Sequence, residues 1–427
     1  MDSLLLQNFA LLNPDAGTLQ SGMSLRIQGG RIEEVGRTIG ARKGEPVADL
    51  GGRTLMPGLI DCHVHICAEG MTSRRPILEA LAVGRSAGLL HQMLMRGFTT
   101  VRDAGGADAG YREAVRTGVF SGPTLYVSGR PLSQTGGHGD PREAAEYCSC
   151  GGNAKYFVIA DGVSEVRKAV REEIRRGADQ IKVMASGGVS SPTDPIDYVQ
   201  YSMEELEAIA DETRRAGKPF IAHAYTPEAI SRAVAVGARS IEHGNFLDDA
   251  TAAQMAARGT FLVPTLVAYH RVVSHGEILG VPEDRLRKAR QVLEQGGRSL
   301  EIAHRHGVKI AFGTDLFNAP KEFQSEEFLI RGEVLPKLEV IRSATTVAAE
   351  LLGIQDSVGR VEAGYAADLV VVDGNPLEDL QCLQEQGRHM PLIIKAGRLI
   401  KDLLTRLRPE DTLASPPMSS FPRWEPR

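Results

Sequence analysis

Between residues 59 and 315, eight apolar, strand-like runs alternate with helical patterns, and that rhythm restricts the fold more than any other feature of the chain. The runs span 59–66, 99–103, 124–128, 180–185, 220–223, 240–243, 261–266 and 309–315. Helical periodicity fills 75–96, 164–176, 203–216, 227–236 and 282–305, with Ser164, Ser202 and Thr226 placed as N-caps. Strands separated by helices pair in parallel, because each chain return is made by the crossover helix. Eight such repeats favour closure over an open sheet. The expected fold is therefore α/β, a (β/α)8 TIM-like barrel over residues 57–356.

At 427 residues the chain is longer than the roughly 250 that such a barrel needs. Residues 4–56 read as short strands and turns, and the same texture returns at 367–373 and 392–397. Neither end is long enough to bury a good core alone. The two ends are expected to pack together as one small composite β-sandwich domain, 1–56 with 357–413. The Pro- and Ser-rich stretch 414–427 then remains as an extended tail.

Metal-binding side chains recur where the apolar runs stop: His63, His65, Lys182, His223, His243 and Asp315. In Pro57-Gly-Leu-Ile-Asp-Cys-His-Val-His65 the two histidines lie two apart, so on a strand they share a face and can reach one ion. One histidine beside an apolar run is ordinary; six such groups at strand ends point to one rim, because barrel sites form at the C-terminal ends of the strands. Imidazole and carboxylate ligands suit zinc and related ions, and this many of them suit two divalent ions. His138 follows the third run in Gly136-Gly-His-Gly-Asp140, where glycines let the backbone approach a ligand. It is assigned to the substrate carbonyl or its developing oxyanion. Asp103 ends the second run and reads equally as a support for the site or as a structural carboxylate.

Composition excludes other classes. A net charge of -5 without a long basic run leaves no footprint for nucleic acid. No run approaches the ~20 apolar residues of a membrane span, and the N-terminus lacks a secretory pattern, so a cytoplasmic protein is expected. Five scattered cysteines argue against a disulfide framework, and Cys148-Ser-Cys150 alone is a weak metal or redox signal. Gly84-Arg-Ser-Ala-Gly88 spells a nucleophile elbow, but it falls inside a helical stretch rather than on a strand-to-helix turn. His304-Arg-His306 is also helical, which throws its two rings about 200° apart and prevents a shared ion.

The Pro-Gly-Leu-Ile-Asp-x-His-x-His opening, the later Lys, two His and Asp in order, and the composite β domain resemble the amidohydrolase superfamily over about residues 4–400. Leu132-Ser-Gln-Thr-Gly-Gly-His-Gly-Asp140, Ile181-Lys-Val-Met-Ala-Ser-Gly-Gly188, His223-Ala-Tyr-Thr-Pro227 and Ser240-Ile-Glu-His-Gly244 resemble its Xaa-Pro dipeptidase-like and ochratoxinase-like branch. The resemblance implies that His63, His65 and Asp315 hold a first ion and His223 and His243 a second, with a carboxylated Lys182 bridging two zinc ions. It implies hydrolysis of the amide bond before a C-terminal amino acid in a dipeptide or N-acyl amino acid, in the manner of a dipeptidase or carboxypeptidase. Attack by a metal-bridging hydroxide and proton transfer through Asp315 would then make Asp315 and His138 the catalytic residues. Tyr225 is expected on the carboxylate side of the substrate, and a homo-oligomer is the expected assembly. The rival reactions are cyclic-amide hydrolysis or deamination of the imidazolonepropionase type. A non-catalytic barrel scaffold is the rival from another class.

Overall fold

The computed structural model describes residues 3–67, 78–147, 154–191, 193–317 and 321–404. The chain opens with β1 (Ser3–Asn13), β2 (Thr18–Gln28), β3 (Arg31–Gly36), β4 (Val47–Asp49) and β5 (Thr54–Pro57). A run of parallel strands follows: β6 (Leu59–Val64), β7 (Phe98–Asp103), β8 (Thr124–Val127), β9 (Leu132–Ser133), β10 (Val158–Ile159), β11 (Ile181–Met184), β12 (Phe220–Ala224), β13 (Ser240–His243) and β14 (Phe261–Val263). β15 (Leu369–Val372), β16 (Leu392–Lys395) and β17 (Arg398–Asp402) close the described chain. They join the N-terminal strands in one eight-stranded sheet, ordered β17-β16-β15-β5-β1-β2-β3 with β4 beside β1.

Period-two alternation lets that terminal sheet feed two cores. Leu55, Leu369, Val371, Leu392 and Ile394 pack among its own residues, with Leu6, Phe9, Leu25 and Ile27. Their neighbours Met56, Val370, Val372 and Ile393 point the other way and join the large core with Leu59, Phe98 and Val101.

The parallel strands fall into two sheets, β6-β7-β8 and β10-β9-β11-β12-β13-β14, and hydrogen bonds join them on both flanks. On one flank the Asp179 N–H donates to the Val127 carbonyl at 2.8 Å, and the Val127 N–H donates to the Asp179 carboxylate at 2.9 Å. On the other, segment 309–315 runs between β14 and β6. Leu262 donates to Lys309 and Ala311 donates to Leu262, while Cys62 donates to Phe312 and Asp315 to His63.

That eighth segment departs from expectation. It forms a single bridge, Leu262↔Ile310, rather than a strand. Gly313 explains the close passage, since a Cβ there would lie 2.3 Å from Val263 Cγ1 and 2.9 Å from His63 Cβ. The seventh run is also shorter than its apolar pattern: β14 ends at Val263, and the helix Leu266–His275 starts after Pro264 and a left-handed Thr265 (φ 50°).

Of the three expected N-caps, one makes its cap bond. Ser202 caps Met203–Arg215 through a capping box with Glu205, whereas Thr226 holds the N-cap position before Pro227–Ala235 but its buried hydroxyl makes no cap bond. Ser164 is not a cap, because its helix begins earlier, at Gly162, whose N–H is already satisfied by Glu205 Oε1 at 2.6 Å. Among the described residues no helix is long and apolar enough to cross a membrane. Cys62, Cys67 and Cys382 are buried free thiols, whereas Cys148, Cys150 and the 414–427 tail lie outside the described residues.

Candidate active site

At the C-terminal ends of the parallel strands lies an open cleft of about 700 Å³, and all six ligand candidates line it together with His138 and Tyr225. His63 is the penultimate residue of β6 and His65 follows the strand; Lys182 is in β11, His223 in β12, and His243 ends β13. Asp315 closes the circle from the irregular segment. The ligand atoms of His63, His65 and Asp315 all fall within 4.8 Å of one another.

The proton on each ring decides what this cluster can hold. His63 Nδ1 donates to Glu242 Oε2 at 2.6 Å, and His65 Nδ1 donates to the Gly105 carbonyl at 2.8 Å. Both partners are acceptors only, so in the neutral rings Nε2 is left bare. Those bare nitrogens face Asp315 Oδ1, at 3.6 Å from His63 and 3.2 Å from His65. The 3.2 Å contact is therefore not a hydrogen bond, and Oδ1 is buried without a donor. His243 Nδ1 engages Thr265 Oγ1 at 2.7 Å and Tyr269 at 2.9 Å, which leaves Nε2 4.0 Å from Asp315 Oδ2. Lone pairs converging on an orphan carboxylate oxygen repel one another unless a cation lies between them. The residues fit a divalent metal ion.

Electrostatics agree. Burial holds His63 and His223 well below the usual imidazole range and brings His243 down to about 3, so these rings are neutral and available as ligands. Burial pushes Asp315 upward, and positive charge beside it at His63, His65 and His243 would draw it down; with those rings neutral, a bound cation would supply that charge. Lys182 is 1% exposed, and burial lowers its ammonium to about 8 against the opposing pull of Glu242 and Asp315. His223 Nε2 donates to the Gly187 carbonyl at 3.1 Å, leaving Nδ1 as its ligand atom, and its ring centroid is 4.6 Å from that of His243.

Backbone strain helps to assemble the group. His243 (φ 78°), Thr265 (φ 50°) and Asp315 (φ 45°) are all left-handed, a conformation that costs roughly 1–3 kcal/mol at each non-glycine position. In an extended strand Glu242 and His243 would face opposite ways. The turn at His243 brings both inside.

Sequence reading missed Glu242 and its partner Arg102. Arg102 Nη2 donates to both Glu242 oxygens at 2.8 and 2.9 Å, and both side chains are essentially buried, at 2% and 0% exposure. Glu242 thereby holds the His63 tautomer, a supporting role common behind metal-bound histidines. Charged residues inside the short apolar runs at 99–103 and 240–243 were the available signal. Tyr269, on a helix, had none. Asp103 proves to be a backbone organiser: its carboxylate accepts from the N–H groups of Ile66, Gly105 and Ala107, which shapes the loop that grips His65. Tyr225 lies just past the end of β12, and its hydroxyl bonds that of Tyr269 at 2.6 Å. Ser86 lies within the helix Glu79–Met95, where its one hydroxyl proton is shared between the carbonyls of Ile66 and Ala82 at 2.8 and 3.0 Å. No elbow exists there.

An ochratoxinase from Aspergillus niger is 35% identical over 366 residues, covering 81% of this chain and 75% of the fungal protein. The crystal structure of a prolidase complexed with N-methylphosphonate-L-proline superposes with a TM-score of 0.89 at 46% identity, over 94% of this chain and 100% of that one. A Xaa-Pro dipeptidase structure with bound methionine in the active site gives 0.85 at 31% identity, over 93% and 99%. Residues 54–399 match the amidohydrolase family, and the chain belongs to that family as a hydrolase of amide bonds.

Proposed function

We propose that this protein cleaves the amide bond before a C-terminal amino acid, in dipeptides or N-acyl amino acids, with two divalent metal ions, zinc first among them. In this reading the parallel strands form a (β/α)8 barrel over residues 57–356, and residues 1–56 with 357–413 form the composite β-sandwich. One observation carries it: the bare Nε2 atoms of His63 and His65 meet at an orphan oxygen of Asp315. His63, His65 and Asp315 would hold one ion and His223 and His243 the other. Lys182 would lie between them as a carbamate, since burial shifts it towards the neutral amine that reacts with CO2. When bound, such a pair supplies hydroxide at neutral pH and polarises a carbonyl.

The protein's own side chains carry the proton and orient the substrate. Asp315, as the carboxylate, would take a proton from the attacking water and pass it to the leaving nitrogen as the C–N bond breaks. His138 supports the carbonyl oxygen as it gains negative charge. Tyr225 would meet the carboxylate side of the leaving residue.

The rest of the cleft narrows the substrate. Pro131, Phe157, Val189, Val272 and Phe317 line it, and among the described residues Asp315 is its only acidic side chain. A basic leaving residue would bury its charge there unpaired. The metal-loaded protein is therefore expected to turn over Xaa-Pro and N-acyl-Phe compounds with kcat/KM about 100-fold above Xaa-Arg, activity being lost to a chelator and restored by zinc. Inert amides together with turnover of cyclic imides or ring amines would overturn the reading. Ser86→Ala should leave the rate within about twofold and cost about 1 kcal/mol of stability, as for a lost structural hydrogen bond. Abolished turnover in that variant would instead reveal a serine nucleophile.

A further inference from the structure

We propose that Lys288, on the helix Glu283–Arg305, is a positioning residue that sets the His138 ring for reaction, an inference that rests on the amide-hydrolase reading above. His138 follows β9, and its ring lies between His223 of β12 and Gly188, Ser191 and Asp194 of the loop after β11. The His138 backbone N–H donates to Gln200 Oε1 at 2.9 Å, and its ring Nδ1 meets Ser191 Oγ at 2.8 Å. The ring stacks on His223 at 4.2 Å with 16° between planes. Gly188 lies against it so closely that a Cβ there would be 2.1–2.6 Å from three ring atoms. Where this loop goes, the ring goes.

Among the described residues of this loop, the Gly187 N–H donates to the Tyr198 carbonyl at 2.7 Å and the Tyr198 N–H to the Pro195 carbonyl at 3.1 Å. One bridge, Ser186↔Val199, closes its base. Farther out, the carbonyls of Gly188, Ser191 and Asp194 turn towards one point, and Lys288 Nζ occupies it at 3.1, 3.4 and 2.6 Å. An ammonium carries three donors, one for each carbonyl. Asp194 gives the cation a second reason to be there. Its carboxylate is buried, accepts from Gly188 N–H and Gln200 Nε2 on Oδ2, and has no partner on Oδ1. Lys288 thus ties to one helix the segments that grip His138, without itself lining the cleft.

The test uses the full-length protein with Lys288→Met, Lys288→Arg, His138→Asn and the Lys288→Met/His138→Asn double variant. In metal-loaded enzyme, Lys288→Met is expected to lower kcat/KM about 100-fold, as a displaced reacting group does, with full metal content. In the His138→Asn background the same change should cost less than about threefold, since the two act through one another. Lys288→Arg should recover much of the loss. In metal-free, 15N-histidine-labelled protein, the His138 ring resonances, identified by their loss in His138→Asn, should move in Lys288→Met. An equal loss in both backgrounds, or unmoved His138 resonances, overturns the proposal. If the wild-type protein cleaves no amide, the functional reading is what fails, and the resonances still decide the role of Lys288.

Discussion

Replacing Asp315 by Asn is expected to reduce kcat for amide hydrolysis about 10⁴-fold, near the upper end of what a lost proton-transfer group costs. The same change should not destabilise the metal-free protein. An amide N–H at that position can donate to the bare Nε2 of His65, 3.2 Å from the present oxygen, and so relieve a repulsion between lone pairs. Thermal unfolding of metal-free Asp315→Asn should thus match or exceed the wild-type midpoint, while metal analysis of the loaded protein shows lower occupancy. Turnover within tenfold of wild type would remove Asp315 from the mechanism. A sharply lower midpoint in the metal-free form would show that the bare-nitrogen assignment of the imidazoles is wrong.

Glu242→Gln should be nearly as damaging, by a different route. The carboxylate receives Arg102 twice and His63 Nδ1 once, with all three side chains buried. Gln removes the charge that compensates Arg102, and breaking a buried pair from one side costs about 3–5 kcal/mol. It also frees His63 to turn or change tautomer, which weakens metal binding about 10–100-fold. The denaturation midpoint of the metal-free protein measures the first effect and a metal titration the second. A joint Arg102→Met/Glu242→Met replacement should recover much of the stability yet none of the metal affinity, because only the first depends on charge balance. If Glu242→Gln unfolds and binds metal as the wild type does, Glu242 is not the support for His63.

Much of the site was legible because its residues are punctuation marks in a periodic text. His63, His65, His223 and His243 each stand where an apolar run stops, and strand ends in such a fold meet on one side. Gly84-Arg-Ser-Ala-Gly88 was dismissed for the same reason, its helical period excluding the turn that the motif requires. Periodicity misled where a local conformation interrupts it. Residues 309–315 have a strand's composition, yet Gly313 and the left-handed Asp315 carry them past β6 and β14 with a single bridge. Arg102 and Glu242 were passed over because charged residues in strands usually face water; these face each other across the interior.

By itself, then, the chain's order of residues determined the alternation of strand and helix and the side of the molecule on which its ligand candidates gather, since both depend on backbone period and neighbours. Only the tertiary structure decided which nitrogen of His63 and of His65 is bare and which helix steadies His138. Those choices are made by partners remote in sequence, such as Glu242 for His63, 179 residues away, and the Lys288 contact with Gly188, 100 residues away. A hydrogen bond's direction depends on where its partner arrives in space, and no local pattern records that.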